Sequence, residues 1–144
     1  MDILAHHLDL ARRRYAHLAP RLAFEHRSIF DLGLPDRSFD LVACRHVIHS
    51  VPHAERVLAE LARVARRGGR LHLIPEDYDM LHFQSSAPEA REFWYEVPPG
   101  AMRRDGVDLF VGRNAPTMLM RLGLRDVRVD YVIVDTLRVP RETF

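Results

Sequence analysis

Two groups of side chains could do chemistry by their type and spacing. His46 and His49 form one, and Glu76, Asp77, Tyr78 and, a little further on, His82 form the other. Imidazole, carboxylate and phenol groups are the side chains that take or give protons in general acid–base catalysis. Each group follows an apolar run of strand-like composition: Phe-Asp-Leu-Val-Ala-Cys before the histidines, and Arg-Leu-His-Leu-Ile before the carboxylates. Between the runs Val57, Leu58, Leu61, Val64 and Ala65 recur at helical spacing and share one face. Gly68 and Gly69 are expected to stop that helix, because glycine tolerates the left-handed conformation of a C-cap.

Strand, helix and strand in this order make a βαβ unit, with parallel buried strands and a right-handed crossover. Sheets of this kind bind ligands in the crevice past the carboxyl ends of their strands. Strands over residues 39–44 and 70–74 therefore deliver Arg45, His46 and His49, and then Glu76, Asp77 and Tyr78, to one sheet edge. A solvated surface position is the plainer role for any of these alone; their convergence is what points to a site.

The flanks are less regular. Residues 2–18 read as an amphipathic helix with Leu4, Leu8, Ala11, Tyr15 and Leu18 inward and Arg12, Arg13 and Arg14 in solvent. Pro20 breaks it, residues 21–26 follow as a short strand, and residues 28–38 form a loop around Gly33, Pro35, Asp36 and Arg37. Residues 76–113 hold six of the twelve aromatics: Tyr78, Phe83, Phe93, Trp94, Tyr95 and Phe110. They read either as a wall over an apolar ligand or as a satellite core. A short helix is expected from Ser86, where Ser-Ala-Pro-Glu supplies a cap. A last helix from Asn114 turns Met118, Leu119 and Leu122 inward and closes at Gly123. Residues 126–136 then alternate as a strand, with Val127, Val129, Tyr131 and Ile133 on one side.

A chain of 144 residues can bury one core, and 47% hydrophobic with 28% charged residues is ordinary for a soluble domain. A net charge of +1 gives no electrostatic reason to expect nucleic acid as partner. No apolar run reaches the length of a membrane span, and the N-terminus lacks the layout of a secretory signal. The single cysteine, Cys44, excludes an internal disulfide and fits a reducing cytoplasm. Nine histidines raise the question of a metal centre. His53, however, should open the crossover helix and point away from His46 and His49, and no His-Glu-x-x-His spacing occurs. No metal is expected. A Gly-x-Ser-x-Gly elbow, the mark of a serine hydrolase, is absent too.

The order Phe39-Asp40-Leu41-Val42, His49-Ser50-Val51-Pro52, Val57-Leu58, Glu60-Leu61, Arg63-Val64, Gly68-Gly69 and Glu76 carries a resemblance. Over roughly residues 2–77 the chain resembles class I S-adenosylmethionine-dependent methyltransferases of the small-molecule type. The resemblance implies an α/β, Rossmann-like methyltransferase fold, a mostly parallel sheet with flanking helices. It implies methyl transfer from S-adenosylmethionine to a small-molecule acceptor. It also implies that Asp2, followed nine and ten positions later by Ala11-Arg12, binds the ribose hydroxyls of the cofactor. A carboxylate accepts two hydrogen bonds from a vicinal diol. Asp2 reads equally as the N-cap of the first helix. Ser28 stands where the family often has an aspartate facing the adenine amino group, and Ile29 where a side chain packs on the ring. Cys44, Arg45 and His46 fall where the family's backbone passes the methionine part of the cofactor.

On this reading His46, His49, Glu76, Asp77 and Tyr78 are the residues that could take the acceptor's proton. Tyr78, His82, Trp94 and Arg113 are those that could hold the acceptor, with a surface ion pair as the alternative for Arg113. The family's first strand and Gly-x-Gly turn should precede Asp2, and none of the seven glycines forms that turn. The chain is therefore expected to be a partial methyltransferase domain lacking that strand. Residues 1–77 would be its cofactor side, 78–113 an acceptor-side insertion, and 114–144 a C-terminal helix and strand. The alternatives are a methyltransferase-like remnant that binds or scaffolds without catalysing and, more remotely, a metal-dependent hydrolase.

Overall fold

The computed structural model describes residues 1–80, 98, 100 and 102–132. In chain order the elements are α1 (Ala5–Arg14), β1 (Phe39–Arg45), α2 (Ala54–Val64), β2 (Ala65–Ile74) and α3 (Val111–Arg121). Short 3-10 turns lie at Ala16–Leu18 and Tyr78–Met80. β1 and β2 pair in parallel, with Leu41 opposite Arg70 and Arg45 opposite Ile74, so their carboxyl tips lie side by side. The βαβ unit is the one that the apolar runs and the helical repeat predict.

Its stability comes from one helix face. α2 buries Ala54, Val57, Leu58, Leu61 and Val64, and these form a core with Leu32, Cys44, Ile48, Val111 and Ala115. Removing a Val, Leu or Ile side chain from water contributes about 1.5–3 kcal/mol each. Val42 of β1 and Leu71 and Leu73 of β2 pack against the same core, while Phe39, Leu41, Arg70 and His72 are exposed. Among the described residues the sheet is therefore covered on one face, where the sequence predicts strands buried on both. The physical reason is that α2 and α3 pack against each other and share a single core, and a parallel sheet needs helices on both sides to bury both faces.

The stop of α2 also differs from expectation. The helix ends at Val64, ahead of the glycine pair, and its last carbonyls are capped from elsewhere: Arg37 N–H donates to Arg63 O and Ser38 N–H to Val64 O, each at 2.9 Å. Gly68, at φ +73°, lies in β2 where the register with β1 breaks. A Cβ on Gly69 would sit 2.9 Å from the Arg66 carbonyl oxygen and 3.1 Å from those of Asp40 and Phe39. The pair serves close strand approach rather than a helix end.

α1 is shorter than its apolar stripe, and Leu8 is its one buried residue; Leu4 and Tyr15 face solvent. Residues 21–26 form no strand. A single parallel bridge joins Asp2 to His26, with Asp2 N–H on Glu25 O at 3.2 Å and Arg27 N–H on Asp2 O at 3.0 Å. α3 begins at Val111 rather than Asn114, because the Asp108 carboxylate accepts the Phe110 N–H at 2.9 Å and starts the turn earlier. Gly123, at φ +82°, closes it as expected. Its N–H donates to Met120 O at 3.0 Å and that of Leu124 to Leu119 O at 3.1 Å, the paired bonds of a Schellman motif. Leu122, expected inward, is exposed. Residues 126–132 adopt no regular structure, and Tyr131 is 72% exposed; alternation makes a strand only where a neighbouring ladder accepts it. The helix expected from Ser86 and residues 133–136 of the last strand lie outside the described residues.

Candidate functional site

The chain leaves β1 through His46, a non-glycine residue at φ +54°. Such a conformation is costly for a side chain bearing a Cβ and is held only where the surroundings fix it. Here the His46 N–H donates to Ile74 O at 2.9 Å, locking the tip of β1 onto that of β2. Two residues beyond Ile74, Glu76 reaches back across the gap, and His46 Nδ1 lies 2.7 Å from Glu76 Oε1.

His49 meets the same glutamate twice. The Glu76 backbone N–H donates to His49 Nδ1 at 3.3 Å, which assigns the neutral ring's proton to Nε2; that atom lies 3.5 Å from Glu76 Oε2. His49 is 4% exposed. Burial pushes its imidazole below the ordinary value, the Glu76 carboxylate opposes this, and His46 adds to the lowering. The outcome is an asymmetric arrangement, with a buried neutral ring behind the carboxylate and an exposed ring in front of it. Tyr78 completes the cluster, its ring centroid 5.9 Å from that of His49 and its N–H on Leu109 O at 3.0 Å.

Asp77 has a different neighbour. Its side chain is 6% exposed, and Arg113 of α3 grips both oxygens, Nε on Oδ2 at 2.6 Å and Nη2 on Oδ1 at 2.8 Å. Nη2 also donates to Asp79 Oδ2 at 2.8 Å. Asp77, then Asp79, raises the Arg113 pKa above its ordinary value, so the cation is permanent.

Nearer the N-terminus, Asp2 and Ser28 belong to the two neighbouring extended segments that the Asp2–His26 bridge holds together. Asp2 Oδ1 accepts the Leu4 N–H at 2.9 Å, and that bond holds the carboxyl below the usual carboxylate range. The helix N-cap is Leu4, with no side-chain cap bond, so the Asp2 side chain turns the chain ahead of α1 rather than capping it. Ser28 Oγ accepts the Phe30 N–H at 3.2 Å, and Ile29 packs against the core. Cys44 is buried, which pushes its thiol pKa up, and Arg45 beside it is exposed.

The structure thus brings His46, His49, Glu76 and Tyr78 together, and Asp77 with Arg113. Asp2 bonds Leu4 and Ser28 bonds Phe30, and among the described residues no hydrogen bond or ion pair joins either to His46 or Glu76. His82 and Trp94 lie outside the described residues. No group of three or more His, Cys, Asp or Glu side chains among the described residues is arranged to hold a metal ion. The ion pair weighed as the alternative for Arg113 is what the structure shows, but its partners Asp77 and Asp79 were not foreseen, since no spacing rule links positions so far apart. Sequence reasoning also missed a clasp on α2, where Glu60 Oε1 accepts the Leu32 N–H at 2.8 Å and Arg63 binds Glu60, Asp36 and the Leu34 carbonyl. Glu60 and Arg63, three apart on a helix, were a signal that could have found part of it.

Over residues 1–73 the chain matches the family profile described as "Methyltransferase domain". The chain belongs to this methyltransferase family. It is 30% identical over 102 residues to arsenite methyltransferase from Mus musculus, covering 69% of this chain and 26% of that protein. It is 29% identical over 112 residues to demethylmenaquinone methyltransferase from Clavibacter sepedonicus, covering 78% and 38%. The chain thus spans only a minor part of the length of these curated relatives. Among solved structures it superposes on a protein from Bacillus halodurans C-125 assigned as a methyltransferase, with a TM-score of 0.63 at 19% identity, covering 85% of this chain and 50% of that one. That likeness gives the fold, a Rossmann-like methyltransferase fold of which β1, α2 and β2 are the described parallel unit. In this family setting the His46–Glu76 contact lies at the strand tips, where an α/β sheet receives its ligands.

Proposed function

We propose that this chain serves S-adenosylmethionine-dependent methylation of a small-molecule acceptor, with His46 as the general base. The observation that carries the reading is the 2.7 Å contact between His46 Nδ1 and Glu76 Oε1 at the paired tips of β1 and β2. With its proton on Nδ1 and directed at the carboxylate, His46 presents Nε2 as a proton acceptor on an exposed ring. Nε2 then takes the proton of an acceptor O–H or N–H, and Glu76 faces the imidazolium that results. A third group orienting a base in this way is a recurrent device, and general-base assistance contributes about 10²–10⁴-fold in rate. His49, neutral and buried, holds the glutamate from behind through its two contacts.

The chemistry of the residues at the two extended segments supports the cofactor reading. Asp2 is an ionised carboxylate in an extended segment, the group a ribose diol needs, and Ser28 belongs to the neighbouring one. Asp2 and Ser28 would hold the nucleoside, with the backbone at Cys44 and Arg45 beside the methionine part. When bound, the cofactor supplies an electrophilic methyl group on a sulfonium centre. The cofactor side on this reading is residues 1–77, and Tyr78 begins the acceptor side. The arsenite and demethylmenaquinone methyltransferases among the relatives are named for small acceptors, which supports that substrate class.

Titration calorimetry with S-adenosylhomocysteine tests the reading. The expected result is saturable heat for the chain and at least tenfold weaker binding for Asp2→Ala, equivalent to about 1.4 kcal/mol. A folded sample giving no heat at millimolar ligand would sink it.

A further inference from the structure

We propose that Arg113 is a positioning residue: by clamping Asp77 and Asp79 from α3, it fixes the Glu76 carboxylate against His46 and so sets which nitrogen of the base carries the proton. The inference rests on the His46–Glu76 reading above and adds a component that lies on another element.

Glu76 is the hub of the site, and its backbone is held from two directions. From the β1 side, His49 Nδ1 accepts the Glu76 N–H. From the α3 side, the first turn of the helix lies directly against residues 76–77: a Cβ on Gly112 would come within 3.0 Å of both the Glu76 carbonyl oxygen and Asp77 Cβ. Gly112 is thus the residue that lets the helix come this close, and Arg113 follows it. Its guanidinium uses Nε and Nη2 on both oxygens of a carboxylate that is 6% exposed, and Nη2 again on Asp79. The planar fork also lies with Cζ 5.5 Å from the centroid of the Phe110 ring, which restricts its rotation. Asp77 Oδ1 in turn accepts the Asp79 N–H at 3.1 Å, and the Tyr78 N–H donates to Leu109 O. The N–H groups of Glu76, Tyr78 and Asp79 are thus each bonded and Asp77 is held through its side chain, and the tie with the most charge is Arg113.

The consequence for chemistry is specific. A bidentate clamp leaves Asp77 one orientation, and the residue before it inherits that constraint. Glu76 must meet His46 at Oε1 and His49 at Oε2 at once, which tolerates little movement of its backbone. Without Arg113 a nearly buried carboxylate loses its counter-charge, and such a group moves toward water. That movement loosens residues 76–79. His46 then loses the acceptor that keeps its proton on Nδ1 and reverts to the Nε2–H form preferred by a free imidazole, which cannot accept a proton from the cleft. On this account Arg113 is spoken for by the protein, whereas an arginine that held an anionic acceptor would need its fork available.

The test follows the proton directly. The histidine-labelled 144-residue chain is studied by long-range proton–nitrogen NMR at pH 8, as wild type, Glu76→Leu, Arg113→Met and Arg113→Lys. The expected result is a His46 Nδ1–H pattern in the wild type, its loss in both Glu76→Leu, which has no acceptor, and Arg113→Met, and a partial loss in Arg113→Lys, which cannot reproduce the fork. His26, whose Nε2 lies 2.7 Å from Ile3 O far from the clamp, should keep its wild-type signal in all four. Retention of the Nδ1–H pattern in Arg113→Met while Glu76→Leu loses it would overturn the positioning role and leave the dyad standing. Retention in both would overturn the dyad itself. If Arg113→Met does not fold, an unchanged pattern in Arg113→Lys overturns the proposal in its place.

Discussion

His46 and His49 share the Glu76 carboxylate, one ring exposed and the other 4% exposed. That difference in burial separates their roles more than any difference in chemistry, because removing an imidazolium from water is unfavourable. His49 titrates below its ordinary value in the folded chain, chiefly through burial. The unfolded chain therefore binds a proton that the folded chain resists, and folding is favoured most when His49 is neutral. Stability from this group is complete above the unfolded imidazole value of about 6.5 and is lost as pH falls through the lower folded value. Urea unfolding between pH 7.5 and 5 should show this decline, and His49→Gln should flatten it. An equally steep decline in the variant would assign the effect to other groups.

Polar clasps add to the apolar core in holding the elements in place. The loop before β1 is tied to α2 by Glu60 and Arg63: Glu60 accepts the Leu32 N–H, and Arg63 donates to Leu34 O and to Asp36. The Glu60 side chain is 11% exposed, and its hydrogen bond from Arg63 is the main reason its carboxyl lies below the usual range. Glu60→Ala removes a charged acceptor from a nearly buried backbone donor, and the expected loss is about 1.5–3 kcal/mol in denaturant unfolding at pH 7. A lowered carboxylate stabilises the fold above its unfolded value and stops doing so as pH falls through its folded value. The gap between wild type and Glu60→Ala should therefore shrink in strong acid. The same loop supplies Arg37 and Ser38 to cap α2, so a single connection aligns both the helix and the start of β1.

For the molecule as a whole, one core carries the described fold. Val57, Leu58, Ile48, Val64 and Val111 are its fully buried large side chains, drawn from α2, α3 and the β1–α2 connection. Leu58→Ala should cost about 2–5 kcal/mol, a large share of the roughly 5–15 kcal/mol available to a typical domain. Thermal denaturation should show the drop as a lower Tm, and a shift under 2 °C would contradict a close-packed core. The same core seats the site, for α2 follows β1 in the chain, precedes β2, and packs across the paired strands whose tips lead to His46 and Glu76.

Sequence alone was enough for the βαβ unit, because an apolar face repeating at helical spacing between two apolar runs has few ways to bury itself. It also placed His46, His49 and Glu76 past the strand ends, since strand polarity follows from chain order. It could not decide that Gly68 and Gly69 serve a strand bulge, that α2 is capped by Arg37 and Ser38, or that Val129 and Tyr131 stay in solvent. Those outcomes depend on what lies beside each segment in space. The partner of Arg113 is the clearest case: Asp77 is 36 positions away, and only the packing of α3 against the tip of β2 brings guanidinium and carboxylate within 2.8 Å. Local pattern is written in neighbouring residues, whereas charge pairing across elements is a property of distance, which the folded chain alone defines.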